Sequence, residues 1–399
     1  MTGAAIESHP DLLLRSLPLS HASIFDAIRS DGPVQWAPHL RAWLVTGYDE
    51  STKLLRHPAV REASGEELWR KLDGIAGIDS SATLKMLPYF PFWMGGAEHK
   101  RSREALTEIA KTLYGEIVDQ ASRLAQGYLE EARRAGGFDL AENFASKLYP
   151  EAIFHALGIG PDKRASLRQV HELAAIFEAP RTTAQYRRIG QEFAKSHDIL
   201  SSHVKESLRS GASSLIRAIA AVTPVAEDDS QVDAIARTLA LLIATGSDTI
   251  SGAIAYGVYE LLSESGRDIE QKCWAEVAAD VMRHVSSIVA MRRELTGDIE
   301  IAGVHMRSGD PVVFAIIAAN HDAALCGEDP HRIAIRKCGI GLAFGTGAHV
   351  CIGLRIGRSV LHSALSALAD GPRLRLSGEP VASDSPAIRV CKSMPMEFV

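Results

Sequence analysis

Residues 344–358 read FGTGAHVCIGLRIGR, with Cys351 set among Gly345, Gly347 and Gly353. Glycines at that density describe a backbone that turns tightly and lets something flat come close. A helix starting at about Cys351 would aim its unpaired N–H groups at the sulfur and stabilise a thiolate. A thiolate so placed can bind iron. Taken alone, a cysteine is more often a small buried apolar residue. The surrounding pattern is what argues for chemistry.

Working outward, the next informative stretch is 230–264. Ser230 followed by Asp233 resembles a capping box, and it opens a helix of about nine turns. Between Arg237 and Glu260 the only charged residue is Asp248, so this helix is apolar nearly all round and runs through a core. A lone acid there is costly to bury without a partner. Gly246 and Thr249 stand beside it. The plain structural reading has Thr249 bonding back to the Thr245 carbonyl; the other is a functional acid–alcohol pair.

The cysteine run resembles the haem-binding signature of cytochrome P450s, Phe-Gly-x-Gly-x-His-x-Cys-x-Gly, at every defining position. Further family marks follow in order over nearly the whole chain. Thr245-Gly246-Ser247-Asp248-Thr249 is similar to the oxygen-binding groove. Asp280 and Arg283 stand at the Glu-x-x-Arg positions, residues 320–333 resemble the meander, and His99 and Arg103 match the propionate-gripping helix. The resemblance implies a mainly α fold with a small β region. Haem b lies buried between the long central helix and the cysteine loop. Cys351 is its iron ligand, a thiolate that favours O–O cleavage. Phe344 shields the sulfur, and Gly345 and Gly353 shape the loop. His99, Arg103, Arg293 and His349 pair with the two propionates, which need cationic or hydrogen-bonding partners. Gly246 lets the central helix bow around dioxygen, Thr249 hydrogen-bonds the oxygen, and Asp248 relays protons. Asp280 and Arg283 lock the meander to the core.

There are departures from the family pattern. Asp280 replaces Glu and is one methylene shorter, so its pair with Arg283 must close differently; the haem pocket is expected to form anyway, with less stability. Thr245 replaces Ala, His321 stands where Arg is common and Ile333 where Phe is common. Gly95-Gly96-Ala97 precedes His99 in place of Asp-Pro-Pro.

The 399 residues, with 46% hydrophobic and 23% charged, are ordinary for a globular protein. A net charge of −6 argues against a nucleic-acid surface. Five unevenly spaced cysteines fit a reducing compartment and no disulfide framework. No signal peptide and no membrane-spanning run are read, so the expected location is cytoplasmic. Residues 1–399 are expected to form one domain, β-richer at about 30–60 and 288–315. Helices are expected at 48–57, 97–134 (as more than one), 139–157, 162–178, 185–208, 230–264, 268–285 and 351–369.

The expected partners are a small-molecule substrate, O2, and a ferredoxin with its reductase. Lys100, Arg101, Lys111, Arg332, Arg336 and Arg355 are expected to form a basic docking patch. The run Leu87–Trp93 either lines an apolar pocket or plugs the core, and Arg181, Arg187 and Arg188 either greet an acidic substrate or face water. Three activities are open: a monooxygenase of secondary metabolism, an oxidase that cyclises or couples without oxygen insertion, and a haem sensor. The intact Asp248–Thr249 pair argues against the sensor, which has no protons to deliver.

Overall fold

The computed structural model describes residues 26, 29–62, 65–168, 182–211, 213–226, 228–263, 266–335, 339–383, 385 and 388–399. A hairpin of β1 (Val34–Ala37) and β2 (Ala42–Val45) leads to α1 (Tyr48–Leu55), β3 (Val60–Arg61), α2 (Gly65–Ala76) and α3 (Ser81–Met86). The long helix α4 (Gly96–Ala135) passes through β4 (Gly137–Asp139) and a π-helical turn (Leu140–Ala145) into α5 (Ser146–Ala156) and α6 (Pro161–Leu167). Then come α7 (Thr183–Ser210), α8 (Ser214–Val222), the central helix α9 (Gln231–Leu262) and α10 (Ala278–Val285). The strands β5 (Ala290–Leu295), β6 (Ile299–Ile301), β7 (Val304–Met306) and β8 (Pro311–Ala315) precede α11 (Ile316–Asn320) and α12 (Ala323–Cys326). The chain closes with α13 (Leu354–Ala369), β9 (Leu374–Leu376), β10 (Val381–Ala382), β11 (Cys391–Ser393) and β12 (Pro395–Phe398).

Several expected boundaries change. The stretch 97–134 is one helix, not several. Leu113, Ile117, Ala121, Ala125 and Leu129 recur every fourth residue and are all buried, and Gly136 ends the helix at φ 78°. The expected helix 268–285 is a 3-10 turn at Gln271–Cys273 followed by α10 alone. Of 162–178, α6 covers the start, and residues 169–178 lie outside the described residues. Beyond the expected β-richer regions, short strands also close the chain at Leu374–Leu376, Val381–Ala382, Cys391–Ser393 and Pro395–Phe398.

The main sheet has the order β1-β2-β8-β5-β3; only the β2–β8 pairing is parallel. Its register matters for the site, because β3 and β5 pair Val60 with Leu295 and Arg61 with Glu294. The helical layer is built around α9, which packs on α5, α7, α10 and α13. Ser230 caps α9 by accepting from the Asp233 N–H at 3.1 Å, as its sequence signature predicts. By length and composition α9 could cross a membrane, but it is buried within the protein, as a core helix is.

Candidate active site

The cysteine loop is closed by the Cys351 N–H donating to the Phe344 carbonyl at 2.8 Å. Gly345 and Gly347 adopt φ of 69° and 71°, and a Cβ on Gly347 would come within 3.1 Å of the Leu55 carbonyl oxygen. Helix α13 begins at Leu354 with Gly353 as its N-cap, slightly later than the sequence suggests. The thiol is pushed up by desolvation, opposed by N–H groups of Gly353 and Leu354 and by the nearby Arg103 guanidinium. The surface of Cys351 is nevertheless uncovered. Both observations hold if the sulfur faces an interior space rather than bulk water. On α13, Gly357 lets the Phe344 ring and Ile250 of α9 come close, tying the loop to the central helix.

On α9, from Ala234 to Val258, only Leu242, Thr245, Gly246, Asp248 and Thr249 are not fully buried. Four of these recur at helical spacing, so one strip of the core helix opens onto an interior space. Tyr149 of α5 joins the two halves. It abuts Gly246, is within electrostatic reach of Cys351, and donates to the Leu242 carbonyl at 2.8 Å. A Cβ on Gly246 would meet its ring at 2.3 Å. The glycine is therefore required by Tyr149, a packing reason that the expected bowing around dioxygen does not contain. Thr245 bonds its own helix, donating to Leu241 at 2.8 Å, and Thr249 donates to the Thr245 carbonyl at 2.9 Å.

Desolvation alone raises Asp248 from an ordinary 3.8 to about 7. A group raised on folding adds stability that is complete below its unfolded value and is lost as pH rises through its folded one. For Asp248 that window runs from about pH 4 to about pH 7. At about 1.4 kcal/mol per pH unit, the ceiling is roughly 4 kcal/mol, and the half-open setting lowers it to about 1–3 kcal/mol. Asp248→Asn is expected to raise the melting temperature at pH 8 and to change it far less at pH 5. An equal shift at both pH values would contradict the assigned environment.

The four expected propionate partners come together only in part. The His99 and His349 rings lie 4.2 Å apart, and the buried Nε2 of His99 has no hydrogen-bond partner. His349 is lowered to about 4 by burial and by His99, Arg293 and Arg103, so it is a neutral partner in this arrangement. Arg293 Nη2 lies 3.1 Å from Glu62 Oε1, and His349 Nε2 lies 3.3 Å from Glu62 Oε2. No sequence signal marked Glu62 or Tyr149, because each acts through a residue far away in the chain. A groove of about 540 Å³, lined by His99, Arg103, Glu104, Glu108 and Ala348 among others, opens along α4.

Behind the loop, Arg283 is fully buried. Its Nε lies 2.6 Å from Asp280 Oδ1, and its Nη1 donates to the Asn320 and Pro330 carbonyls at 2.7 and 2.9 Å. The shorter Asp280 is not under-bonded, since its other oxygen accepts the Ala334 N–H at 2.8 Å. The pair therefore closes despite the missing methylene. His321 replaces the usual arginine within a buried chain: its Nε2 lies 3.3 Å from His284 Nδ1, and His284 Nε2 lies 3.4 Å from Glu260. In the aromatic run, Phe90 is wholly buried against Phe193 while Phe92 and Trp93 are half-buried, which makes the segment chiefly a core plug.

No family model matches the chain. It is 26% identical over 363 residues to cytochrome P450 109 of Bacillus spizizenii, covering 86% of this chain and 82% of that protein. It is 24% identical over 383 residues to the steroid C26-monooxygenase of Mycobacterium tuberculosis, covering 90% and 84%. Among solved structures it superposes on P450BioI, crystallised with a fatty-acyl-loaded acyl carrier protein, with a TM-score of 0.80 and 20% identity over 95% of this chain and 98% of that one. The fold and these relatives define a haem-thiolate oxidoreductase. The chain is similar to cytochrome P450s of the bacterial type, monooxygenases whose cofactor is haem b. The residues present suit that cofactor: an unpartnered buried His99 nitrogen, an arginine beside the thiol, and an open strip on an otherwise sealed helix.

Proposed function

We propose that residues 1–399 work as one P450 domain that oxidises a small organic molecule with O2 and two externally supplied electrons. The observation that carries this reading is one link: Tyr149 lies against Gly246 on the open strip of α9 and within electrostatic reach of the desolvated Cys351 thiol. Cys351 would hold the iron, with Phe344, Gly345 and Gly353 shaping its loop and Gly246 bordering the cofactor across from it. His99, Arg103, Arg293 and His349 would hold the propionates. When bound, haem supplies oxygen activation at the iron. Asp248, poised near neutrality, can hold a proton in an apolar setting and release it inward. The Thr249 proton is committed to the Thr245 carbonyl, so its lone pairs are what it offers, and it acts there as an acceptor.

The similarity to a steroid C26-monooxygenase supports an apolar substrate class, and secondary metabolism is the proposed setting, in the cytoplasm. Oxidative cyclisation or coupling remains the second reading; the Asp248–Thr249 pair favours full oxygen activation. Electrons would come from a ferredoxin and its reductase. Support for that docking is narrower than the sequence suggests. Lys100, Arg101 and Arg355 are exposed, with Arg355 over the Tyr114 ring, but Lys111 is paired with Glu108 and Arg332 with Asp268. Arg336 and Arg181 lie outside the described residues, and Arg187 and Arg188 each have a partner.

Thr249→Ala tests the distal assignment. Product formed per NAD(P)H is expected to fall by roughly an order of magnitude, with substrate affinity unchanged. Unaltered coupling would remove Thr249 from proton delivery.

A further inference from the structure

One acid sits among the groups that should receive the cofactor's acids. Extending the β3–β5 register by one residue sets Glu62 opposite Arg293. Its carboxylate then divides between two partners, Arg293 Nη2 at 3.1 Å and His349 Nε2 at 3.3 Å. Its side chain is 12% exposed, so water screens the contact weakly. Both partners belong to the set assigned to the haem propionates. The chain's own carboxylate thus already occupies part of the cradle meant for the cofactor's carboxylates. Charge sharpens the conflict. The cradle's guanidinium cations are Arg103 and Arg293. Two propionates would match the two guanidiniums; Glu62 adds a third anion in a partly buried site, where like charges repel.

We propose that Glu62 is an internal competitor for the haem propionates, holding Arg293 and His349 in place in the haem-free chain and yielding at least one of them when haem seats. The proposal rests on the haem-thiolate reading and assigns Glu62 control over cofactor retention. The amide of Glu62→Gln keeps the shape and removes the competing charge.

The test follows the Soret band as holoprotein transfers its cofactor to excess apomyoglobin, once with haem and once with haem dimethyl ester, which carries no carboxylates. Glu62→Gln is expected to slow haem loss roughly tenfold, a difference of about 1.4 kcal/mol, and to leave loss of the ester unchanged. Unchanged or faster haem loss overturns the proposal. So does an equal effect on haem and ester, which would mean that Glu62 acts on the fold. Glu62→Asp covers the case in which the Gln variant fails to assemble. It keeps the charge but is one methylene too short to span both partners, so haem loss should slow by a smaller factor. Loss as fast as in the parent protein counts against the proposal. Haem bound without a thiolate-type band would sink the functional reading, whereas a normal band with unaltered transfer sinks only this inference.

Discussion

Replacing Cys351 by Ser is expected to abolish the thiolate-type Soret band of the reduced, CO-treated protein and to take monooxygenase activity below detection. The sulfur is the one soft, ionisable ligand atom facing the interior at this loop, and a hydroxyl there is a far weaker donor to iron. The loop itself should survive. Its closure depends on the Cys351 N–H to Phe344 carbonyl bond and on left-handed Gly345 and Gly347, none of which involves the side chain. Folding and loss of the band are therefore separable: circular dichroism should match the parent protein while the spectrum changes. A variant that retains the band would mean that another group holds the iron.

Arg283→Ala is expected to lower stability by about 3–5 kcal/mol, the usual result of breaking a buried ion pair from one side. Asp280, 4% exposed, would lose its guanidinium partner, and the Asn320 and Pro330 carbonyls would lose their shared donor. Those carbonyls belong to the segment that leads into the cysteine loop. The Asn320 side-chain oxygen also accepts the Leu342 N–H at 2.6 Å, two residues before Phe344. Haem content of the purified protein should fall along with the denaturation midpoint. Arg283→Lys should rescue little, because one ammonium cannot replace a planar fork bonded on several sides. A midpoint shift corresponding to less than about 1 kcal/mol would show that the meander is held by other contacts.

Much of this was legible from local patterns. The glycines around Cys351, the cap at Ser230 and the single charge between Arg237 and Glu260 each constrain backbone conformation or burial within a few turns of chain. They led to the mainly helical fold, the central helix and the cysteine loop. The continuity of α4 was not legible locally, because its four-residue apolar stripe is satisfied by packing along α5 and α13.

By itself, then, the sequence determined which residues are available for the chemistry and the backbone that presents Cys351, Asp248 and Thr249, since both follow from short-range spacing and residue type. Tertiary structure alone decided how those groups are committed. It set Tyr149 against Gly246 and brought Glu62 to Arg293 and His349. The physical reason is that a side chain's partner depends on strand register and helix packing between segments as many as some two to three hundred residues apart, and no local pattern encodes that distance.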